Sequence, residues 1–177
     1  NRTSPTVELS FTDVEVHESQ ILGDVGTALW KVGFECFDWE RTVMVASAIG
    51  SMQRDLEESV RYAQEREAFG KPIGRFGAIQ HKVAQMRIRL EVARLLQRQA
   101  AWMKDNDIEH STEAAMAKAY IGEAGVESAL DAIQLHGGWG YVDEFHVERS
   151  LRDAKLAGIG GGTTEIQEMI IARTLLG

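Results

Sequence analysis

The chain has 177 residues, of which 44% are hydrophobic and 26% charged, which is one domain's worth of ordinary globular sequence, long enough to bury a core. Its formal charge of −8 argues against nucleic acid as a partner, because phosphate binding needs clustered Lys and Arg, and no apolar run is long enough to span a bilayer. The single cysteine, Cys36, excludes an internal disulfide and suits a reducing compartment.

Taken in order, residues 1–5 read as a frayed lead-in. Over 7–16 apolar and polar residues alternate (Val7, Leu9, Phe11, then Val14, Val16), the pattern of a half-buried strand or two. No second convincing strand follows, so its partners are expected elsewhere. The chain starts at Asn1 rather than Met, and an upstream part is expected.

Gly23 and Gly26 lead into helical sequence near Ala28, and a long helix is expected over 38–68 with a core stripe at Val45, Ile49, Met52, Leu56 and Val60. Phe69, Gly70, Lys71 and Pro72 should end it. A second helix over 78–104 should bury Ile79, Val83, Met86, Leu90 and Leu95. A third, Ala-rich and capped by Ser111, should run to His136. A short helical piece over 144–154 and a last helix over 165–175 complete an all-α, up-and-down four-helix bundle.

The segment 151–173 carries the most information, because a turn with Gly158, Gly160, Gly161 and Gly162 runs directly into the last helix. Glycine lets backbone approach a ligand and adopt dihedrals closed to other residues. Thr164 and Gln167 have capping-box spacing, so this helix start is either capped or free to meet an acceptor. His136 has no second ligand at metal spacing and reads as structural, and no metal is expected. Trp30, Trp39, Trp102 and Trp139 read as core or interface residues.

Three stretches occur together: R-E-A-F-G-K-P-I-G over 66–74, Q-L-H-G-G-W-G-Y over 134–141, and R-D-A-K-L-A-G-I-G-G-G-T-T-E-I-Q over 152–167. In content and order they resemble the C-terminal domain of the acyl-CoA dehydrogenases, a family of flavin enzymes. The resemblance covers nearly the whole chain. It implies that residues 1–22 are the remnant of a β-domain strand and linker, and 23–177 the C-terminal four-helix domain.

It also implies a reaction, removal of the α-proton and β-hydride of an acyl-CoA thioester, with FAD as cofactor. Many members use as base the Glu of an E-G-T triplet in the closing turn; here the triplet is Gly161, Gly162, Thr163, and the carboxylate is missing. Members similar to isovaleryl-CoA dehydrogenase carry the base on the first long helix, in a context matched by Phe37-Asp38-Trp39-Glu40-Arg41. The resemblance therefore makes Glu40 the expected base and puts Arg41 at the substrate. Glu40 lies roughly 140° around the helix from the stripe at Val45. Its own lane continues through Met44, Ser47, Ala48 and Ser51, small and soft enough to leave room for an acyl chain or for a packed helix. Without the resemblance, Glu40 reads as a first-turn carboxylate complementing the helix dipole.

By the same resemblance the N–H of Gly161 meets the thioester oxygen. Arg66 and Phe69 reach the FAD of a neighbouring subunit, as does backbone at Gln134, Gly137 and Gly138. Thr163, Thr164 and Gln167 contact flavin or cap the last helix. Phe76 is followed by Gly77 where the family commonly has Gln, so one flavin contact departs from the pattern. The implied partners are an acyl-CoA substrate, an electron-transferring flavoprotein or similar acceptor, and further subunits in a homodimer, homotetramer or heteromeric assembly. The implied location is cytoplasmic, or the mitochondrial matrix if eukaryotic. A second reading is a non-catalytic FAD-binding or interaction subunit of the same fold. By itself the chain is expected to show negligible activity and to self-associate through the helices bearing Phe69 and Gly137.

Overall fold

A computed structural model of the protein describes residues 5–177. A π-helical turn over Leu29–Gly33 leads into helix α1 (Phe34–Val43), which meets α2 (Val45–Glu65) at a break on Met44. There the N–H of Ser47 donates to the Met44 carbonyl at 3.3 Å and the Ser47 hydroxyl donates to the same oxygen at 2.8 Å. A serine that bonds back to the preceding turn competes with the regular helical ladder. The single helix expected over 38–68 is thus two.

Helix α2 ends at Glu65, before the glycine and proline expected to stop it. A hairpin follows, in which β1 (Glu67–Ala68) pairs antiparallel with β2 (Lys71–Pro72), placing Glu67 opposite Pro72 and Ala68 opposite Lys71. Phe69 (φ 53°) and Gly70 (φ 80°) form its two-residue turn, the pair of positive φ values that suits the twist of a hairpin. Helices α3 (Gly77–Asp105) and α4 (Ser111–His136) then run their full expected lengths. A short α5 (Gly138–Tyr141) and a 3₁₀ turn (Asp143–Phe145) precede α6 (Val147–Ala157), and α7 (Thr164–Leu176) closes the chain.

Helix α4 is the hub, packed against α1, α2, α3, α6 and α7. Its Ala-rich face explains this: Ala114, Ala115, Ala117, Ala124, Ala129 and Ala132 are all buried, and small side chains let helices come close. At Gly122 a Cβ would lie 3.2 Å from the carbonyl oxygen of Ala157, so α6 packs there against bare backbone. The core joins Val45, Met52 and Leu56 of α2 to Met86 and Leu90 of α3, Ile121 of α4 and Val147 of α6, with Ile49, Val60 and Val83 packed around it. Leu95 is instead 65% exposed. The buried lane of α3 passes from Leu90 through Ala93 and Leu96 to Ala100, and Leu95 falls a full residue outside it.

Across α3 and α4, Asp131 accepts hydrogen bonds from Lys82 at 2.7 Å and Arg89 at 2.8 Å. Burial alone would raise the Asp131 carboxyl, but the hydrogen bonds and charges of Lys82 and Arg89 outweigh it and hold it below the ordinary value. A lowered folded pKa stabilises above the unfolded value, and the contribution is lost as pH falls through the folded one. Asp131→Asn is therefore expected to flatten the acid limb in a pH series of thermal melts, and an unchanged slope would refute the assignment.

The segment 7–16 forms no strand. Its apolar residues are as exposed as its polar ones, with Val7 at 70% and Phe11 at 77%. Alternation gives a strand only where a second strand takes up the backbone hydrogen bonds, and none does so among the described residues. The lead-in over 1–4 lies outside them. The four tryptophans are not core residues, since Trp30, Trp39, Trp102 and Trp139 are 70%, 52%, 60% and 48% exposed.

Candidate functional site

The glycine turn between α6 and α7 is held by its carbonyls. The oxygen of Gly161 accepts from Arg41 Nε at 3.3 Å and Gln167 Nε2 at 3.2 Å; that of Gly162 accepts from Gln167 Nε2 at 3.1 Å and from Lys118 Nζ. These donors come from α1, α4 and α7, and Lys118 and Gln167 are fully buried. Burial lowers the pKa of Lys118, and the nearby charge of Arg41 lowers it further, against the opposite pull of Glu123, Glu165 and Glu40. Gly161 (φ 67°) and Gly162 (φ 94°) both lie in the left-handed region that favours glycine. With the carbonyls turned into the helices, the N–H of Gly161 has no acceptor among the described residues.

Glu40 lies against this turn. A Cβ built on Gly161 would sit 3.7 Å from the carboxyl carbon of Glu40 and 3.5 Å from Met44 Cε. The two positions that the sequence offers for a base therefore converge, although they are 121 positions apart in the chain. Because α1 begins at Phe34, Glu40 belongs to its second half, and the first-turn dipole reading does not hold. Arg41 is 6% exposed and occupied, with Nη1 on Asp38 Oδ1 at 3.1 Å and Nε on the turn, so it braces the site. Asp38 also accepts from the hydroxyl of Ser111. That hydroxyl consequently does not cap α4.

From Met44 a cleft of about 280 Å³ runs between α2 and α6. Met44, Ser47, Ala48 and Ser51 all line it, facing Ala154 and Ala157. Among the described residues, the small-residue lane beyond Glu40 thus borders open space.

The last helix is not closed by a capping box. Its N-cap is Thr163, whose side chain makes no capping bond; the Thr164 hydroxyl donates to Glu123 Oε1 at 3.1 Å, and Gln167 is committed to the turn. The buried Oε1 of Gln167 has no partner among the described residues. Exposed Glu165 has its pKa lowered by its own backbone N–H and the Thr163 hydroxyl.

The remaining predicted residues gather at the far end of α2. Arg66, Gly137 and Gly138 line a second cleft of about 580 Å³ together with Tyr62, His136 and Trp139. A Cβ on Gly137 or Gly138 would meet nothing within 4 Å, so backbone faces open space there. Arg66 forms no ion pair among the described residues. His136 is held by its neighbours: Nδ1 donates to the Ala132 carbonyl at 2.8 Å and the ring lies tilted against Tyr62 at 4.4 Å. Phe69 stands 96% exposed at the hairpin tip, edge-on to Phe76 at 6.1 Å. Gln134 is exposed on the last turn of α4 and does not line the cleft. Gln80 donates to the Gly74 carbonyl at 3.1 Å.

This arrangement matches a described protein domain. The family model "Acyl-CoA dehydrogenase, C-terminal domain" matches residues 30–176. The chain belongs to the acyl-CoA dehydrogenase family. It is 45% identical over 175 residues to the probable acyl-CoA dehydrogenase YngJ of Bacillus subtilis (strain 168), covering 99% of this chain and 46% of that protein. The butyryl-CoA dehydrogenase of Megasphaera elsdenii superposes with a TM-score of 0.91 at 35% identity, over 94% of this chain and 43% of that one. The FAD complex of PigA gives 0.89 at 36%, over 93% and 43%. The chain thus spans about half the length of the acyl-CoA dehydrogenase family members it matches.

Sequence reasoning missed Lys118, the buried donor to the turn. The signal was present, because Lys118 shares the buried face of α4 with Ala114, Ala117 and Ile121, and a charge on such a face needs a partner. No helix among the described residues is long and apolar enough to cross a membrane, and none of their His, Cys, Asp and Glu side chains gather in threes that could hold a metal ion.

Proposed function

We propose that the complete protein is an FAD-dependent acyl-CoA dehydrogenase in which Glu40 takes the α-proton of the thioester and the Gly161 N–H donates to its carbonyl oxygen. The observation that carries this reading is the contact of the Glu40 carboxyl with the face of Gly161 from which a family-type base would grow. A positioned carboxylate serves as general base, and an N–H aimed at developing negative charge on oxygen is worth ~10²-fold or more. Arg41, Lys118 and Gln167 fix the turn, and with it the direction of that N–H. The cleft beyond Met44 takes the acyl chain.

Bound FAD would supply the acceptor for the β-hydride. The residues present fit it: Arg66 offers a guanidinium fork suited to a pyrophosphate, and Gly137 and Gly138 leave bare backbone beside it. The 21 residues of α2 span roughly 30 Å, and Glu40, on α1, precedes that helix while Arg66 follows it. They would then serve different FAD molecules, Arg66 reaching the cofactor of a neighbouring subunit, which makes the working form at least a dimer. Electrons would pass on to an electron-transferring flavoprotein or similar acceptor.

Full-length protein carrying FAD should lose its oxidised flavin absorbance on anaerobic addition of acyl-CoA. Retention of the oxidised spectrum with every chain length overturns the reading. Arg66→Ala is expected to weaken FAD binding about tenfold, as loss of a charge-assisted hydrogen bond does. Flavin fluorescence titration measures it, and unchanged affinity would remove Arg66 from the cofactor.

A further inference from the structure

The cleft that begins at Met44 ends on polar groups. Asp55 of α2 and Ser150 of α6 line its far end, each only 2% exposed. The Ser150 hydroxyl donates to Asp55 Oδ1 at 2.8 Å and accepts from Arg54 Nη2 at 2.6 Å; Arg54 Nη2 also lies 3.3 Å from the same Oδ1. Both partners of the carboxylate fall on one oxygen, and Oδ2 takes no hydrogen bond among the described residues. Oδ2 is not among the fully buried polar atoms left without a partner, so it keeps some access, and a donor arriving there meets a carboxylate already largely removed from water. Burial raises the pKa of Asp55, against the opposing pull of the Ser150 hydrogen bond and the Arg54 charge, and Glu58 adds to the rise. Asp153 lines the same end. With the Asp55 carboxylate on the lining and the Arg54 guanidinium behind it, the end presents an acceptor to an arriving donor.

We propose that Asp55, held by Ser150 and Arg54, is a specificity residue that accepts a hydrogen bond from the far end of the acyl chain, so that thioesters bearing a distal hydroxyl or amino group are preferred over plain alkyl ones. The inference rests on Glu40 and Gly161 marking the reacting end of the same cleft. From Met44 to Asp55 is about 16 Å of helix, which sets an acyl chain of roughly a dozen carbons.

The test compares kcat/KM of the full-length, FAD-loaded protein for an alkanoyl-CoA of that length and for its ω-hydroxy counterpart. The parent is expected to favour the ω-hydroxy thioester about tenfold or more, the discrimination of one hydrogen bond to a charged group. Asp55→Leu should abolish or reverse that ratio. Asp55→Asn, closer in shape, should shrink it and serves where the Leu variant does not fold. Equal kcat/KM for both thioesters in the parent, or a ratio unmoved in a folded Asp55 variant, overturns the proposal while leaving Glu40 as base. An enzyme that binds FAD yet oxidises neither thioester, nor any shorter one, overturns the Glu40 reading and this inference with it.

Discussion

Full-length protein carrying Glu40→Gln is expected to bind FAD as the parent does and to turn over acyl-CoA ~10²-fold or more slowly, as loss of a general base commonly does. The amide is nearly isosteric with the carboxylate, so its place beside Gly161 is retained and only the proton acceptor is lost. Arg41 and Lys118 keep their bonds to the turn carbonyls, because neither bond is made through Glu40, and Glu40 is the smallest of the charges acting on Lys118. The effect should therefore appear in kcat, with flavin absorbance and melting temperature close to those of the parent. A folded, flavin-bound Glu40→Gln enzyme with unchanged kcat would move the base to a carboxylate outside this chain.

How much of this was legible beforehand depended on what each signal needed in order to act. Helices α3 and α4 match their expected ends within a residue or two, because an apolar lane at helical spacing is sufficient for a helix that packs along its whole length. Features that depend on a partner form only where that partner is present. The alternation over 7–16 specifies a strand only beside another strand. Ser111 has the chemistry of a cap, but its hydroxyl is drawn to Asp38 across the bundle. Gly70 and Pro72 signal the end of a helix equally well as a hairpin, and the chain builds the hairpin.

The site divides in the same way. The convergence of Glu40 on Gly161 was accessible because two motifs far apart in the chain point to one reaction, each in a fixed sequence context. The clamp of Arg41, Lys118 and Gln167 was not, since Lys118 has no motif around it and acts only through the fold. Asp55 is a parallel case, a charge between the core residues Met52 and Leu56 whose use appears once Ser150 lies across from it.

Gly161→Glu introduced into the Glu40→Gln enzyme is expected to restore at least about tenfold of the lost turnover, because a carboxylate then reaches the same α-carbon from the other wall of the site. Space permits the change. The new Cβ would lie 3.5 Å from Met44 Cε and 3.7 Å from the side-chain carbon of residue 40, ordinary contact distances. Conformation opposes it, since φ at Gly161 is 67°, and a side chain in the left-handed region costs about 1–2 kcal/mol. That cost should appear as a lower melting temperature, shared by Gly161→Ala in the same background, which measures strain without the carboxylate. In the parent background Gly161→Glu should help little, because two carboxylates against one another raise each other's pKa and one is held protonated. The expected order of turnover is parent, then double variant, then Glu40→Gln alone. A double variant that folds, binds FAD and is no faster than Glu40→Gln would show that positions 40 and 161 do not address one proton.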